Sequence, residues 1–204
     1  MEGHAKAAVL VDPLGELWQG HLDRHAALVA ATGAACADPF AAATQLLVRA
    51  FEAGCTAFFC GNGGSAADAQ HLAAELTVRF VRDRVALPAL ALATDPSAMT
   101  ACGNDLGFER VFARQVEALG RPGDVLIAIS TSGGSGNIVA ALKVARAAGL
   151  ATILLTGGRE GAARAHADVV LAVPSEVTAH IQELHIVIGH ALCHAVEAAM
   201  GFDR

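Results

Sequence analysis

The sequence predicts an α/β fold, a parallel sheet covered by helices on both faces. Three observations predict it. Short, continuous apolar runs recur along the chain and alternate with stretches of helical periodicity, the pattern of strands buried on both sides. Two of these runs lead straight into Gly/Ser-rich loops that open helices, and α/β proteins hold their ligands beyond the carboxyl ends of such strands. The chain has 204 residues, 54% of them apolar and 17% charged, enough for one well-buried core, and no linker separates two halves.

The elements follow in order. Leu14, Leu17, His21, Leu22, His25 and Leu28 recur at spacings of three and four, so residues 12 to 35 read as a helix. Asp38-Pro39 reads as an N-cap with Pro at the first helical position, opening a second helix that ends at Glu52 before Gly54. Thr56 to Cys60 is a buried strand, and a helix from Ser65 to Phe80 follows it. Leu90 to Ala93 is a second strand. Ser97 to Cys102 and Phe108 to Leu119 are short helices around a Gly103-Asn104-Asp105 turn. Asp124 to Ile129 is the clearest strand, and Ile138 to Ala148 is its helix, stopped by Gly149. Ala151 to Leu155 and Val169 to Val173 are further strands, and Ala179 to Met200 is a closing helix. The expected organisation is one domain over 1–204, with N-terminal helices over 12–54 and an α/β core plus closing helix over 55–204.

Composition excludes several function classes. Fourteen basic against twenty acidic residues leave a net charge of -6, and Lys6 and Lys143 are the only lysines. Nucleic-acid binding needs many cationic phosphate contacts, so no nucleic-acid partner is expected. Aromatics are 4% with no Tyr, which disfavours a base-stacking platform. The longest apolar runs, such as Ala86 to Ala93, fall short of the roughly 20 residues of a membrane span. No basic segment followed by an apolar run opens the chain. Cys36, Cys55, Cys60, Cys102 and Cys193 are odd in number and form no CxxC, as expected of reduced thiols in the cytoplasm.

Two loops can hold a phosphate. In Gly61-Asn62-Gly63-Gly64-Ser65, glycines allow close approach of a ligand and the next helix offers free N–H groups. It is neither a dinucleotide fingerprint nor a P-loop. In Ser130-Thr131-Ser132-Gly133-Gly134-Ser135-Gly136-Asn137, four hydroxyls follow a buried strand and can donate to phosphate oxygens. No lysine or arginine lies in either loop, which suits a phosphate monoester rather than a nucleoside triphosphate; no nucleotide cofactor is expected. Turns and an N-cap are the plainer explanation for either loop alone, and the repetition favours a shared site.

His71 and Glu75 stand i, i+4 on the helix after the first loop and share a face. Together they suit a divalent metal or proton transfer, or simply a surface ion pair. The closing helix carries Gln182, Glu183, His185, His190, His194 and Glu197 among apolar residues. Gln182 and His190 lie about 12 Å apart along its axis and about 80° around it, and reach one small site only if it lies between them. His185 and His194 compete with His190. His4, His21, His25, His166 and His180 read as surface or packing residues.

The stretch Cys60 to Thr77 (CGNGGSAADAQHLAAELT) resembles the sedoheptulose 7-phosphate isomerases, or phosphoheptose isomerases, of the SIS (sugar isomerase) domain group. The resemblance continues through Gly103-Asn104-Asp105, Gly107-Phe108, Arg121 to Asp124, Ile129 to Gly133 and Ile181-Gln182-Glu183, over nearly the whole chain. It implies a three-layer α/β/α sandwich with a five-stranded parallel sheet and an N-terminal helical extension. It implies a homotetramer with active sites near subunit interfaces, and aldose–ketose isomerisation of a heptose phosphate through an enediol. Carried over by position, Asn62, Gly63, Gly64, Asn104 and Asp105 contact substrate. Ser65, Ser130, Thr131, Ser132 and Ser135 hold the phosphate. Glu75 and His190 are the catalytic pair, and His71, Glu75, Gln182 and His190 match a zinc site. The chain departs from the pattern at Gly134, at Val78 before Arg79, at His180 in place of an Arg, and around Gly157-Gly158. These leave open an isomerase of another sugar phosphate, and a non-catalytic relative that binds a replication initiator.

Overall fold

The computed structural model describes residues 3–202, with side chains from Pro13 onward; His4 lies outside the described side chains. Strands Ala57–Gly61 (β1), Ala89–Ala91 (β2), Val125–Ser130 (β3), Ala151–Thr156 (β4) and Val169–Ala172 (β5) form one parallel sheet in the order β2-β1-β3-β4-β5. The helices are Gly3–Glu52 (α1), Gly64–Thr77 (α2), Pro96–Asp105 (α3), Ala113–Leu119 (α4), Gly136–Ala147 (α5) and Thr178–Ala199 (α6). Short 3-10 turns at Phe108–Arg110 and Ala162–His166 complete the chain.

Every residue of β1 and β3 is buried, and their alternation sorts side chains between two apolar cores. Ala57, Phe59, Ile127 and Ile129 pack with Leu47 and Phe51 of α1, Leu72 and Leu76 of α2, and Leu184 and Leu192 of α6. Phe58, Cys60, Leu126 and Ala128 pack on the other face with Cys102 of α3, Val116 of α4, and Ile138 and Leu142 of α5. The expected three-layer sandwich with five parallel strands is therefore what the chain builds. β1 sends its chain to the α2 face and β3 to the α5 face, so the crevice between them is the point where the winding reverses. In register, Gly61 stands beside Ile129, and the two Gly/Ser loops leave the sheet at the same level.

Several element boundaries differ from the sequence reading. The break expected at Asp38-Pro39 does not occur: α1 runs through both Pro13 and Pro39. A proline inside a helix removes one hydrogen bond and costs about 3 kcal/mol. Burial on both sides of Pro39, at Cys36, Ala43, Leu47, Ala50 and Phe51, holds both halves on one surface and offsets that cost. The expected end at Gly54 holds: Cys55 N–H donates to Ala50 O and Gly54 N–H to Phe51 O, with Gly54 at φ 74°, a Schellman motif. Gly103-Asn104-Asp105 is the last turn of α3, not a connecting turn. Asp95 Oδ1 accepts from the N–H groups of Ser97 and Ala98, starting this helix early with Pro96 in its first turn. The helix expected over 108 to 119 divides into a 3-10 turn and α4.

α1 also corrects the expectation of no bilayer-length apolar stretch. It is long and apolar enough to cross a membrane by length and composition, with a window of mean hydropathy 1.4. Its C-terminal part packs against the sheet as a core helix does.

Candidate active site

The two loops meet over the β1–β3 crevice. Asn62 Nδ2 donates to Asn137 Oδ1 at 2.9 Å, and Asn137 Nδ2 returns a bond to Asn62 Oδ1 at 2.8 Å. This reciprocal amide pair ties the start of α2 to the start of α5. Gly61 admits no side chain, because a Cβ there would lie 2.4 Å from Ser65 O. Gly63 turns at φ 56°, a conformation that favours glycine. Gly64 lies under Gln182, whose carboxamide would meet a Cβ at 2.7 Å. In the second loop Gly133 turns at φ 62°, and Ser132 Oγ accepts from Gly134 N–H. Ser130 and Ser135 face each other with their hydroxyl oxygens 3.4 Å apart.

Between the loops is a cavity of about 60 Å3 lined by Asn62, Ser65, Ile129, Ser130, Thr131, Ser135 and Gln182. All seven lining residues are neutral. Such a pocket holds an anion through hydroxyl and amide donors and the N-terminal ends of α2 and α5. Ser132 lines an adjoining cleft with Thr131, Arg159 and Glu176. Asn104 and Asp105 are elsewhere. They are exposed at the end of α3, hydrogen-bonded to one another at 2.7 Å, and Asp105 faces a cavity shared with Asp95 and Arg114.

α2 and α6 bring three ionisable side chains together. His71 Nε2 and His190 Nε2 are 2.7 Å apart, and His71 Nε2 is 3.5 Å from Glu75 Oε1. One donor atom from each residue lies within 4.8 Å of the others. At 2.7 Å the two ring nitrogens are at hydrogen-bond distance, and the tautomer decides which donates and which accepts. The side chains remain open to solvent, His71 at 47% and Glu75 at 22%. Two nitrogens and a carboxylate oxygen form a donor set that suits zinc. Among the competitors on α6, His185 is fully buried with neither ring nitrogen hydrogen-bonded, and burial pushes its pKa down to about 4. It stands neutral in the core, and His194 is exposed and is not one of the three grouped residues.

Three features that bring the group together were missed in the sequence. A Cβ on Gly189 would sit 2.5 Å from both Leu72 methyls, so this glycine admits Leu72 of α2 into α6. Leu72 and Gly189 adjoin His71 and His190, and their packing sets how close the two rings come. Asn137, which joins the loops, read only as the end of a polar run. The third is a buried ion pair. Glu197 Oε1 accepts from Arg84 Nε at 2.9 Å, with both side chains 1% exposed. The same carboxylate accepts from the N–H groups of Phe80, Val81 and Arg82. Arg84 donates onward to the carbonyls of Glu75 and Leu76. The Phe80 ring packs on His190 with centroids 5.3 Å apart. Glu197 thus anchors the backbone of Glu75 through Arg84 and a wall of His190 through Phe80. Burial raises its pKa, but the three N–H donors and Arg84 outweigh that and hold it below the ordinary carboxylate range. The only sequence signal was a carboxylate on an otherwise apolar helix face.

A reversed crevice in a five-stranded parallel sheet, filled by two neutral-donor loops beside an imidazole–carboxylate group, defines a protein that handles a phosphorylated small molecule. The sequence profile of the SIS domain matches residues 21–157. The phosphoheptose isomerase of Paramagnetospirillum magneticum is 56% identical over 85% of this chain and 91% of its own. That of Roseiflexus sp. is 54% identical over 78% of this chain and 81% of its own. The structure of phosphoheptose isomerase from Neisseria gonorrhoeae superposes with a TM-score of 0.86 at 42% identity, covering 91% of this chain and 99% of its own. The chain belongs to the SIS domain family and, within it, to the phosphoheptose isomerases.

Proposed function

We infer that this chain is an aldose–ketose isomerase that converts sedoheptulose 7-phosphate to glycero-manno-heptose 7-phosphate through an enediol. The observation that carries the mechanism is the convergence of Glu75, His71 and His190 beside a pocket of neutral phosphate donors. The phosphate binds between the loops. Ser65, Ser130, Thr131, Ser132 and Ser135 donate to its oxygens, and the N-termini of α2 and α5 face its charge. Asn62, Gly63, Gly64, Asn104, Asp105 and Gln182 contact the sugar. Holding the phosphate places C1 and C2 against the acid/base group and removes much of the entropic cost of reaction.

Isomerisation moves one hydrogen from carbon to carbon and one between oxygens. The Glu75 carboxylate takes the proton from C1 of the ketose, leaving the enediol, and His190 carries a proton between the two oxygens. Glu75 then returns its proton to C2, giving the aldose. Only the neutral form of an imidazole accepts such a proton. Zinc held by His71, Glu75 and His190, with Gln182 alongside, would polarise the carbonyl and stabilise the enediolate charge. We read the working enzyme as a cytoplasmic homotetramer with its sites near subunit interfaces. In that assembly Asn104 and Asp105 serve a sugar bound at an interface.

The test is to incubate the protein with sedoheptulose 7-phosphate in D2O and follow deuterium at the carbon next to the carbonyl. Exchange with appearance of the aldose is expected. Chelator is expected to suppress both and added Zn2+ to restore them. Absence of exchange and of aldose in the zinc-loaded protein would overturn the reading.

A further inference from the structure

We propose a second metal site, separate from the His71–Glu75–His190 group, in which α1 and α6 hold one divalent transition-metal ion through His21, His25, His180 and Glu183. The sequence treats these three histidines as surface or packing residues, and the fold brings His21 and His25 to the two oxygens of the Glu183 carboxylate and His180 against the His21 ring. His21 Nε2 lies 3.5 Å from Glu183 Oε1, and His25 Nδ1 lies 3.0 Å from Glu183 Oε2. The His180 ring meets the His21 ring edge-on with centroids 5.7 Å apart. Two ligands come from one turn of α1, spaced i, i+4, and two from one turn of α6, spaced i, i+3. Pairs at these spacings present their side chains on one helix face.

A plain surface ion pair accounts poorly for this cluster. His25 Nδ1 and Glu183 Oε2 are both shielded from solvent and neither makes a hydrogen bond, although they are 3.0 Å apart. The contact has the spacing of two ligands of one ion without the alignment of a hydrogen bond. Buried polar atoms without partners are costly, and an ion between them would supply the missing partner to both. One carboxylate also needs only one cation, and here two imidazoles reach its two oxygens while a third packs against the first. Imidazole with a carboxylate selects borderline ions such as Zn2+, Co2+ or Ni2+ over Mg2+ or Ca2+. The His21 and His180 rings are half-buried and close onto the ion by rotation between staggered side-chain rotamers. The consequence is a clip that pins α1 to α6 one residue from Gln182.

The site carries its own reporter. Trp18, the only tryptophan in the chain, stacks on His21 with centroids 6.5 Å apart and planes 15° from parallel. The full chain carrying His71→Ala and His190→Ala, which lacks the first group, is titrated with Co2+. One equivalent is expected to bind, with visible d–d absorption and quenching of Trp18 emission at the same midpoint. Adding His25→Ala or Glu183→Gln is expected to weaken binding at least tenfold and abolish the quenching. The proposal is overturned if the double variant takes up no stoichiometric Co2+, if Trp18 does not respond, or if binding in the His25→Ala and Glu183→Gln proteins stays within twofold. None of these readouts depends on isomerase activity, so this site and the isomerase reading stand or fall separately.

Discussion

Glu75 and Glu197 are carboxylates on neighbouring helices, each beside basic side chains, and they stand in opposite conditions. Glu197 is 1% exposed and accepts from Arg84 and three backbone N–H groups. Its lone pairs are filled and its surroundings are closed. Glu75 is 22% exposed, and its near neighbour is one imidazole at 3.5 Å. Its lone pairs remain available. A carboxylate with every acceptor position filled holds structure, and one left under-coordinated at an open face is free to take a proton or a metal. The two are joined, since Arg84 links the Glu197 carboxylate to the Glu75 carbonyl. The saturated one positions the open one.

The comparison breaks first at Glu75. Glu75→Gln keeps the shape and removes the proposed base. Isomerase turnover is expected to fall roughly hundred- to ten-thousand-fold, with a thermal unfolding midpoint close to wild type. Full turnover in this variant would remove Glu75 from the role of base. Glu197→Ala should show the reverse emphasis. It strands a buried guanidinium, and breaking a buried pair typically costs about 3–5 kcal/mol, read as a lower urea midpoint. A stability equal to wild type would mean that Arg84 finds another partner.

Acid sharpens the same contrast. The Glu197 carboxyl is held below its unfolded value of about 4.3. Its stabilisation is therefore fully present above that value and lost as the pH falls through the folded value. In urea titrations the gap between wild type and Glu197→Gln should be constant near neutrality and close below about pH 4. A gap that widens in acid would contradict the direction of the shift. The smallest effect is expected at the loops. Asn137→Ala leaves the Asn62 amide without its partner, at a cost of about 1–3 kcal/mol. Loosening the phosphate cradle should raise KM more than it lowers kcat in steady-state assays.

Much of the fold was legible because its signals are local. The apolar runs at 56–60, 124–129 and 151–155 mark buried strands whatever their order. The glycines at 54 and 149 end helices through backbone geometry alone. The loop residues Asn62 to Ser65 and Ser130 to Ser135 present neutral hydrogen-bond donors by type and spacing. The break expected at Asp38-Pro39 failed because propensity describes an isolated segment, whereas burial of Cys36, Ala43 and Leu47 acts through residues far away in sequence.

At the candidate site, residue types could be read and partners could not. His71 and Glu75 share a face by helix geometry, but His190 had rivals at 185 and 194 on the same helix. Packing separated them, with Gly189 admitting Leu72 so that residue 190 meets residue 71. Glu197 and Arg84, 113 residues apart, carry no local mark of belonging together.

The amino-acid sequence by itself determined the strands, most of the helices, the alternation that buries the strands, and the kinds of donor at the loops, because these depend on each residue and its near neighbours. Tertiary structure alone decided which histidine meets His71, which carboxylate is closed and which is open, and that Asn62 and Asn137 join the loops. Those outcomes depend on distances between segments remote in the chain, set by how side chains interlock across α2, α6 and the sheet.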